Sequence, residues 1–350
     1  MVSVPGVAGD PGTDLLHHGD VEVRGAGLLD LAVNVHPHGP PRWLAQALRD
    51  SVEDVAAYPD ARAAEVALAR NHGRDPREVL ATAGATEAFT LLARMRPWRR
   101  PVVVHPQFTE PHAALEQAGH RVEVVLTSGD HRLATAAVPE DADLVVLGNP
   151  TNPTGVLHPR EDVLALTRPG RLVVVDEAFM DALPGEPSSL AGSPVEGVVV
   201  VRSLTKTWAI PGVRAGYLLG GPDDVDTLRA ARPPWSFSAA ACAAVLAIST
   251  PQGAAEQARR ATELSDWSAS MATQLRARGV EVVAGSAPFL LARLGEGTHR
   301  RLREVGVASR RCDTFPGLDD GWVRLAARPP ATVAVLLRAL EACGMRGCGP

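Results

Sequence analysis

One of the 35 basic residues in this 350-residue chain is a lysine, Lys206, in the segment Arg202-Ser203-Leu204-Thr205-Lys206-Thr207-Trp208; the rest are arginines. Such a bias is what a GC-rich coding background produces, and arginine serves wherever a positive charge or a hydrogen-bond donor is enough. It does not serve where a neutral amine must attack a carbonyl, because a guanidinium stays protonated in proteins. Lys206 is therefore a candidate nucleophile for Schiff-base chemistry.

Four other segments fit a site built around that amine. Gly84-Ala85-Thr86-Glu87 lies at a predicted strand-to-helix turn, where backbone N–H groups, a hydroxyl and the positive end of a helix dipole suit a phosphate. Taken alone, the same residues make an ordinary helix start with Thr86 as cap. Gly148-Asn149-Pro150-Thr151-Asn152-Pro153-Thr154-Gly155 follows an apolar run and reads as a rigid loop at a strand's carboxyl end, where α/β proteins bind ligands. Val173-Val174-Val175-Asp176 ends a buried strand on a carboxylate, which requires a cationic partner such as an arginine or a protonated pyridine nitrogen. Ile210-Pro211-Gly212-Val213-Arg214 supplies a guanidinium able to reach the same phosphate as Thr86.

The scaffold for these residues is legible as alternating elements. Valine-rich runs at 102–104, 122–126, 144–147, 172–175 and 198–201 alternate with helical patterns, the mark of a mostly parallel sheet buried on both faces. The expected fold class is α/β: a large domain over residues 45–235 and a smaller α+β domain over 236–350. Residues 1–44 form an N-terminal arm and part of the small domain, with the Gly- and Pro-rich stretch 1–13 expected to be poorly ordered. The net charge of −5 gives no electrostatic reason to expect nucleic acid or an anionic membrane. No run of about 18 apolar residues is present, and Met1 to Asp10 has no secretion signal, so a cytoplasmic protein is expected. Cys242, Cys312, Cys343 and Cys348 are too few and scattered for a disulfide scaffold. His72, His105, His112, His120 and His131 lack ligand spacing, and no metal site is expected. A nicotinamide dehydrogenase is excluded because no Gly-x-Gly-x-x-Gly turn follows an early strand.

In kind, order and spacing these segments resemble the aspartate-aminotransferase superfamily of pyridoxal-phosphate enzymes (fold type I), from about Leu29 to the C-terminal helix. The resemblance implies that Lys206 carries pyridoxal 5'-phosphate and that Asp176 pairs with its ring nitrogen. It further implies that Asn152 bonds the ring hydroxyl, that Phe108 stacks on the ring, and that Ala85, Thr86, Ser203 and Arg214 hold the phosphate. Tyr58 would reach the cofactor of a second subunit, making a homodimer with shared sites. Arg324 would clamp a substrate carboxylate, with Asn34 in the strip crossing the pocket and His18 contributing to a substrate phosphate.

Within the superfamily the chain is similar to histidinol-phosphate aminotransferases and to the threonine-phosphate decarboxylases of the cobalamin pathway. Phe179 stands where aminotransferases usually carry tyrosine, and His17-His18-Gly19-Asp20 is similar to the decarboxylases' His-Gly-Gly strip. Asp20, His36 and His38 depart from the commonest pattern of that region. The first expectation is decarboxylation of threonine O-3-phosphate to 1-aminopropan-2-ol O-2-phosphate. The alternative is an aminotransferase of the histidinol-phosphate type, acting on a phosphorylated or dicarboxylic amino acid; the expected partner is a small phosphorylated amino-acid substrate.

Overall fold

The computed structural model describes residues 14–24 and 27–344, so the expectation for 1–13 and the cysteine at 348 lie outside the described residues. After a short strand, β1 (Leu29–Asp30), the valine-rich runs become a seven-stranded sheet. Its members are β2 (Val79–Thr82), β3 (Pro101–His105), β4 (Glu123–Leu126), β5 (Leu144–Gly148), β6 (Leu172–Asp176), β7 (Val198–Ser203) and β8 (Gly216–Leu219). They lie in the order β2-β8-β7-β6-β5-β3-β4.

Strands β5, β6 and β7 are buried along their whole length. Successive side chains of a strand face opposite ways, so burial on both faces demands apolar residues at odd and even positions alike. Val145, Leu147, Val173, Val175 and Val200 feed the core on one face, and Leu144, Val146, Leu172, Val174 and Val201 that on the other. Each fully buried valine or leucine contributes about 1.5–3 kcal/mol of transfer free energy. Edge strand β4 has only Val125 fully inward, and its flanking residues alternate outward.

One strand departs from the parallel expectation. β8 runs antiparallel to both neighbours, β2 and β7. Its first residue, Gly216, therefore lies between Thr82 and Ser203, the last residues of those neighbours. A Cβ at Gly216 would come within 2.8 Å of the Arg202 carbonyl oxygen and 2.9 Å of the Ala85 nitrogen, so the three chain segments meet only around a glycine. The reversal delivers Arg214, just ahead of β8, to the carboxyl edge where β2, β6 and β7 end. In the parallel part, register sets Gly148 beside Asp176 and Asp176 beside Val201.

The second unit is a four-stranded antiparallel sheet of β9 (Glu281–Val282), β10 (Phe289–Arg293), β12 (Arg310–Arg311) and β13 (Trp322–Ala326), in the order β12-β13-β10-β9. β11 (Val307–Ala308) pairs in parallel with β1, joining the N-terminal segment to this unit. Its core gathers Leu31, Met271, Leu275, Leu325, Leu336 and Leu340 beneath the helices Pro251–Arg276 and Pro330–Ala342. Phe237, Ala241, Ala244, Val245 and Ile248 pack instead into the core of the large sheet. Packing thus carries the large unit to the end of the helix Ala239–Ile248, beyond the boundary expected at residue 235, because that alanine-rich face sits on the helices Arg42–Asp50 and Arg62–His72. Among the described residues no helix is long and apolar enough to cross a membrane.

Candidate active site

The carboxyl edge of the large sheet and the face of the small one enclose a cavity of about 450 Å³. At one end the chain leaves β2 through Gly84, whose φ of +78° suits glycine, and enters the helix Ala85–Arg94. The helix is capped by that glycine and carries no side-chain cap. Thr86, which on its own reads as the cap, instead stands in the first turn, beside N–H groups that no side chain has taken. Glu87 turns back to accept the Ala83 N–H at 2.5 Å. The Arg214 guanidinium lies against the turn so closely that a Cβ at Gly84 would meet it at 2.6 Å. Ser203 and Thr205 bring two hydroxyls, 2.8 Å apart. Backbone N–H groups, hydroxyls and one guanidinium around a helix start make a donor set suited to a phosphate.

Deeper in the cavity, Asp176 ends β6 with Oδ1 accepting from the Ala178 N–H at 3.0 Å. Burial drives its pKa up to about 7, against the opposing pull of that backbone bond and the Lys206 charge. Burial, then the charges of Arg324 and Arg214, push the Lys206 amine down to about 8, while Asp176 and Asp20 draw it upward. The Lys206 Nζ stands 6.0 Å from the centre of the Phe179 ring, which packs edge-on against Phe289. A buried carboxylate wanting a cation, an amine poised to lose its proton and a phosphate cradle fit a phosphorylated aldehyde carrying a basic ring nitrogen.

The lowered amine has a kinetic consequence. Uptake of pyridoxal 5'-phosphate by the cofactor-free protein, followed by absorbance, is expected to quicken between about pH 6 and about pH 8 and flatten above, as the neutral amine becomes the main form. A rate still climbing steeply at about pH 9.5 would show an unshifted lysine.

The opposite wall belongs to the small sheet. Arg324, on β13, donates to Asn152 Oδ1 at 2.6 Å and to the Ala32 carbonyl at 2.6 Å. With its amide oxygen turned inward, Asn34 accepts from Arg324 Nε at 3.1 Å and Nη1 at 3.3 Å. Antiparallel register sets Arg310 of β12 directly opposite Arg324. Arg310 donates to the His17 carbonyl and to Thr314 Oγ1, both at 2.7 Å, and lies over the Phe315 ring at 4.7 Å. Among the described residues neither arginine makes an ion pair with a carboxylate. Burial, then the neighbouring Arg310, press the Arg324 pKa down to about 9, leaving it cationic at neutral pH. His18 meets Glu110 at 2.5 Å near Phe108, and Asp20 pairs with Arg24.

Lys206, Asp176, Ala85, Thr86, Phe108, Asn152, Ser203, Arg214, Arg324, Asn34 and His18 all line this one cavity. Tyr58 does not. It is 77% exposed and stacks on Trp235 with ring centres 4.3 Å apart, away from the cavity of its own chain. Arg310 and Phe315 line the cavity and were not singled out from the sequence; only the pairing of β12 with β13 ties Arg310 to Arg324.

Residues 26–342 match the family model described as aminotransferase class I and II. The chain is 45% identical over 337 residues to a histidinol-phosphate aminotransferase of Mycobacterium tuberculosis, covering 94% of this chain and 92% of the relative. It is 33% identical to the threonine-phosphate decarboxylase of Salmonella typhimurium, covering 90% of each. The crystal structure of L-threonine-O-3-phosphate decarboxylase from Porphyromonas gingivalis superposes with a TM-score of 0.80 at 27% identity, over 90% of this chain and 99% of that one. With a donor-lined cradle, a lone buried amine and a strand-end carboxylate already in place, these matches identify the chain as a pyridoxal-phosphate-dependent enzyme of the class I and II aminotransferase family, with the fold type I architecture.

Proposed function

We propose that the enzyme transfers an amino group to or from a small phosphorylated substrate, in the manner of a histidinol-phosphate aminotransferase. The observation that carries the substrate class is the pair Arg310 and Arg324, two buried cations on the cavity wall that no carboxylate among the described residues neutralises. Buried charges require partners, so the substrate must bring the anions. The 45% identity to a histidinol-phosphate aminotransferase favours transamination over the decarboxylation first expected. Decarboxylation of threonine O-3-phosphate is the second reading, favoured by Phe179: a buried ring without a hydroxyl faces Lys206 where aminotransferases usually have tyrosine.

When bound, pyridoxal 5'-phosphate supplies an electron sink for whichever Cα bond of the substrate stands perpendicular to its ring. The chain's own residues do the rest. Ala85, Thr86, Ser203 and Arg214 would hold the cofactor phosphate, Asp176 would pair with its ring nitrogen, Asn152 would bond its ring hydroxyl and Phe108 would pack against it, all four groups of contacts lying on one cavity. Arg324, steadied by Asn34, would take the phosphate of histidinol phosphate, which has no carboxylate, in one half-reaction and a carboxylate of 2-oxoglutarate in the other; Arg310 and His18 stand where a second anion would lie. Lys206, once its amine is free, takes the proton from Cα and returns it. The orientation imposed by Arg324 and Arg310 selects which Cα bond is broken.

The test supplies histidinol phosphate with 2-oxoglutarate in one reaction and carboxyl-labelled threonine O-3-phosphate in another. Glutamate formed in the first without labelled CO2 in the second supports transamination; labelled CO2 with no glutamate overturns it in favour of the second reading.

The active unit in this proposal is a homodimer. Tyr58, Trp235, Val52 and Val55 are large apolar residues left exposed, and Tyr58 and Trp235 stack as a ready-made contact. Mixing Tyr58→Phe chains with Lys206→Ala chains gives heterodimers with one site carrying both defects and one carrying neither. Activity above the mean of the two parents is expected. A fully active monomer on a sizing column would rule the shared site out.

A further inference from the structure

We propose a divalent transition-metal site, of the kind that takes Zn²⁺, formed by His36, His38 and Glu263 behind the strap that crosses the active-site cavity. No metal centre was expected from the sequence, where His36 and His38 stand out only as a departure from the family's pattern. The fold supplies one from the long helix Pro251–Arg276. One donor atom from each of the three side chains lies within 4.8 Å of the other two. His36 Nε2 already meets Glu263 Oε2 at 3.1 Å.

The donor chemistry suits zinc. Two imidazoles and a carboxylate are a borderline nitrogen and oxygen set, and metal–ligand bonds of about 2.0–2.2 Å are reached by small side-chain rotations. His36 is buried, Glu263 partly buried and His38 exposed, so an ion would be anchored on the protein side and open to water on the other. Three protein ligands with an open position differ from a closed four-ligand structural site. Trp267, one turn beyond Glu263, packs on the His36 ring at 5.8 Å and the His38 ring at 5.5 Å, and holds both imidazoles on the same side. The contact to be displaced is Arg259, 3.3 Å from Glu263, which keeps its ion pair with Glu256 when Glu263 turns away.

The site is wired to the cavity through the backbone. The His36 N–H donates to the Lys206 carbonyl at 3.1 Å. Asn34 and Val35, just ahead of it, line the cavity. Arg328 donates to the Val33 carbonyl at 2.7 Å, fixing the other end of the strap. An ion at His36, His38 and Glu263 would reinforce the contacts that already join that end of the strap to the long helix, His36 to Glu263 and Arg260 to the Gly39 carbonyl, and hold Asn34 against Arg324. This inference stands whichever reaction the enzyme performs.

The experiment titrates metal-free, cofactor-loaded enzyme with Zn²⁺ by calorimetry, and with Co²⁺ while watching visible absorbance beyond the cofactor's bands. One ion per chain with micromolar or tighter affinity is expected, together with a rise in melting temperature when Zn²⁺ is present. His38→Ala and Glu263→Gln should each weaken binding by about tenfold or more and abolish the metal-dependent rise. His38 is exposed and Glu263→Gln keeps an oxygen to face His36, so melting temperatures without metal should stay close to wild type; each variant checks the other, since the two lie on separate elements. Absence of stoichiometric binding at about 1 mM Zn²⁺, or binding unchanged in both variants, overturns the site.

Discussion

Lys206→Ala or Lys206→Arg is expected to end covalent attachment of the cofactor and to lower turnover by about 10⁴-fold or more. Two losses combine. The amine that anchors pyridoxal 5'-phosphate disappears, and so does the base that takes the Cα proton. No other side chain can stand in, because the sequence holds no second lysine. Arginine restores the charge and some of the length but not a neutral nitrogen, so it should be as inactive as alanine. What makes the native residue work is its surroundings: burial beside Arg324 and Arg214 brings the amine to about 8, so that roughly a tenth to a fifth is neutral near physiological pH, against about one in a thousand for an unshifted lysine. Borohydride reduction of the holoenzyme followed by peptide mass analysis should label Lys206 and nothing else. A label at the chain's N-terminal amine, or turnover within about tenfold of wild type in either variant, would remove Lys206 from the mechanism.

The parts of this molecule that were legible in the sequence are those decided locally. β5, β6 and β7 announce themselves because a strand buried on both faces must be apolar at every position, and Val173 to Val175 can hardly be anything else. Asp176 is conspicuous for the same reason: a carboxylate ending such a run needs a special partner. The glycine and proline octet after β5 fixes a loop from its own residues. What was not legible depends on pairing between distant segments. The reversal of β8 cannot be read from Tyr217-Leu218-Leu219, since a strand's direction is set by its neighbours; yet that reversal brings Arg214 to Gly84. Arg310 sits on a two-residue strand with no pattern, and becomes a site residue only through its register with Arg324. The helix Ala239–Ile248 is nearly all alanine and apolar, so no amphipathic stripe tells which unit it will join. Glu263 lies 227 residues from His36, a distance no spacing rule spans. Tyr58 falls outside its own chain's cavity, exposed and stacked on Trp235, and the cofactor contact that the resemblance implies for it would need a second chain.

Asp176→Asn is expected to separate stability from activity, moving them in opposite directions. In the cofactor-free protein, burial raises the Asp176 pKa from 3.8 to about 7. Between those values the folded state holds a proton that the unfolded chain has released, so folding stability from this group falls as pH rises from about 4 to about 7. Asparagine carries no such charge. The cofactor-free variant should therefore match wild type near pH 4 and exceed it near pH 8, by about 1–4 kcal/mol. Asp181 is a second buried carboxyl whose pKa burial brings to about 7, but it is present in both proteins and cancels in the comparison. With pyridoxal 5'-phosphate bound the order should reverse: the ring nitrogen supplies the cation that the Asp176 carboxylate lacks, and wild type gains more stability from the cofactor than the variant does. Turnover should drop by at least about 10²–10³-fold, because an amide holds no negative charge against the ring nitrogen while charge develops at Cα. Urea unfolding of both proteins at the two pH values, with and without cofactor, measures all four terms. If the cofactor-free variant gains nothing near pH 8, the carboxylate is not isolated in the way its burial implies. If turnover survives, Asp176 does not face the ring nitrogen, and the strand end beside Gly148 has another purpose.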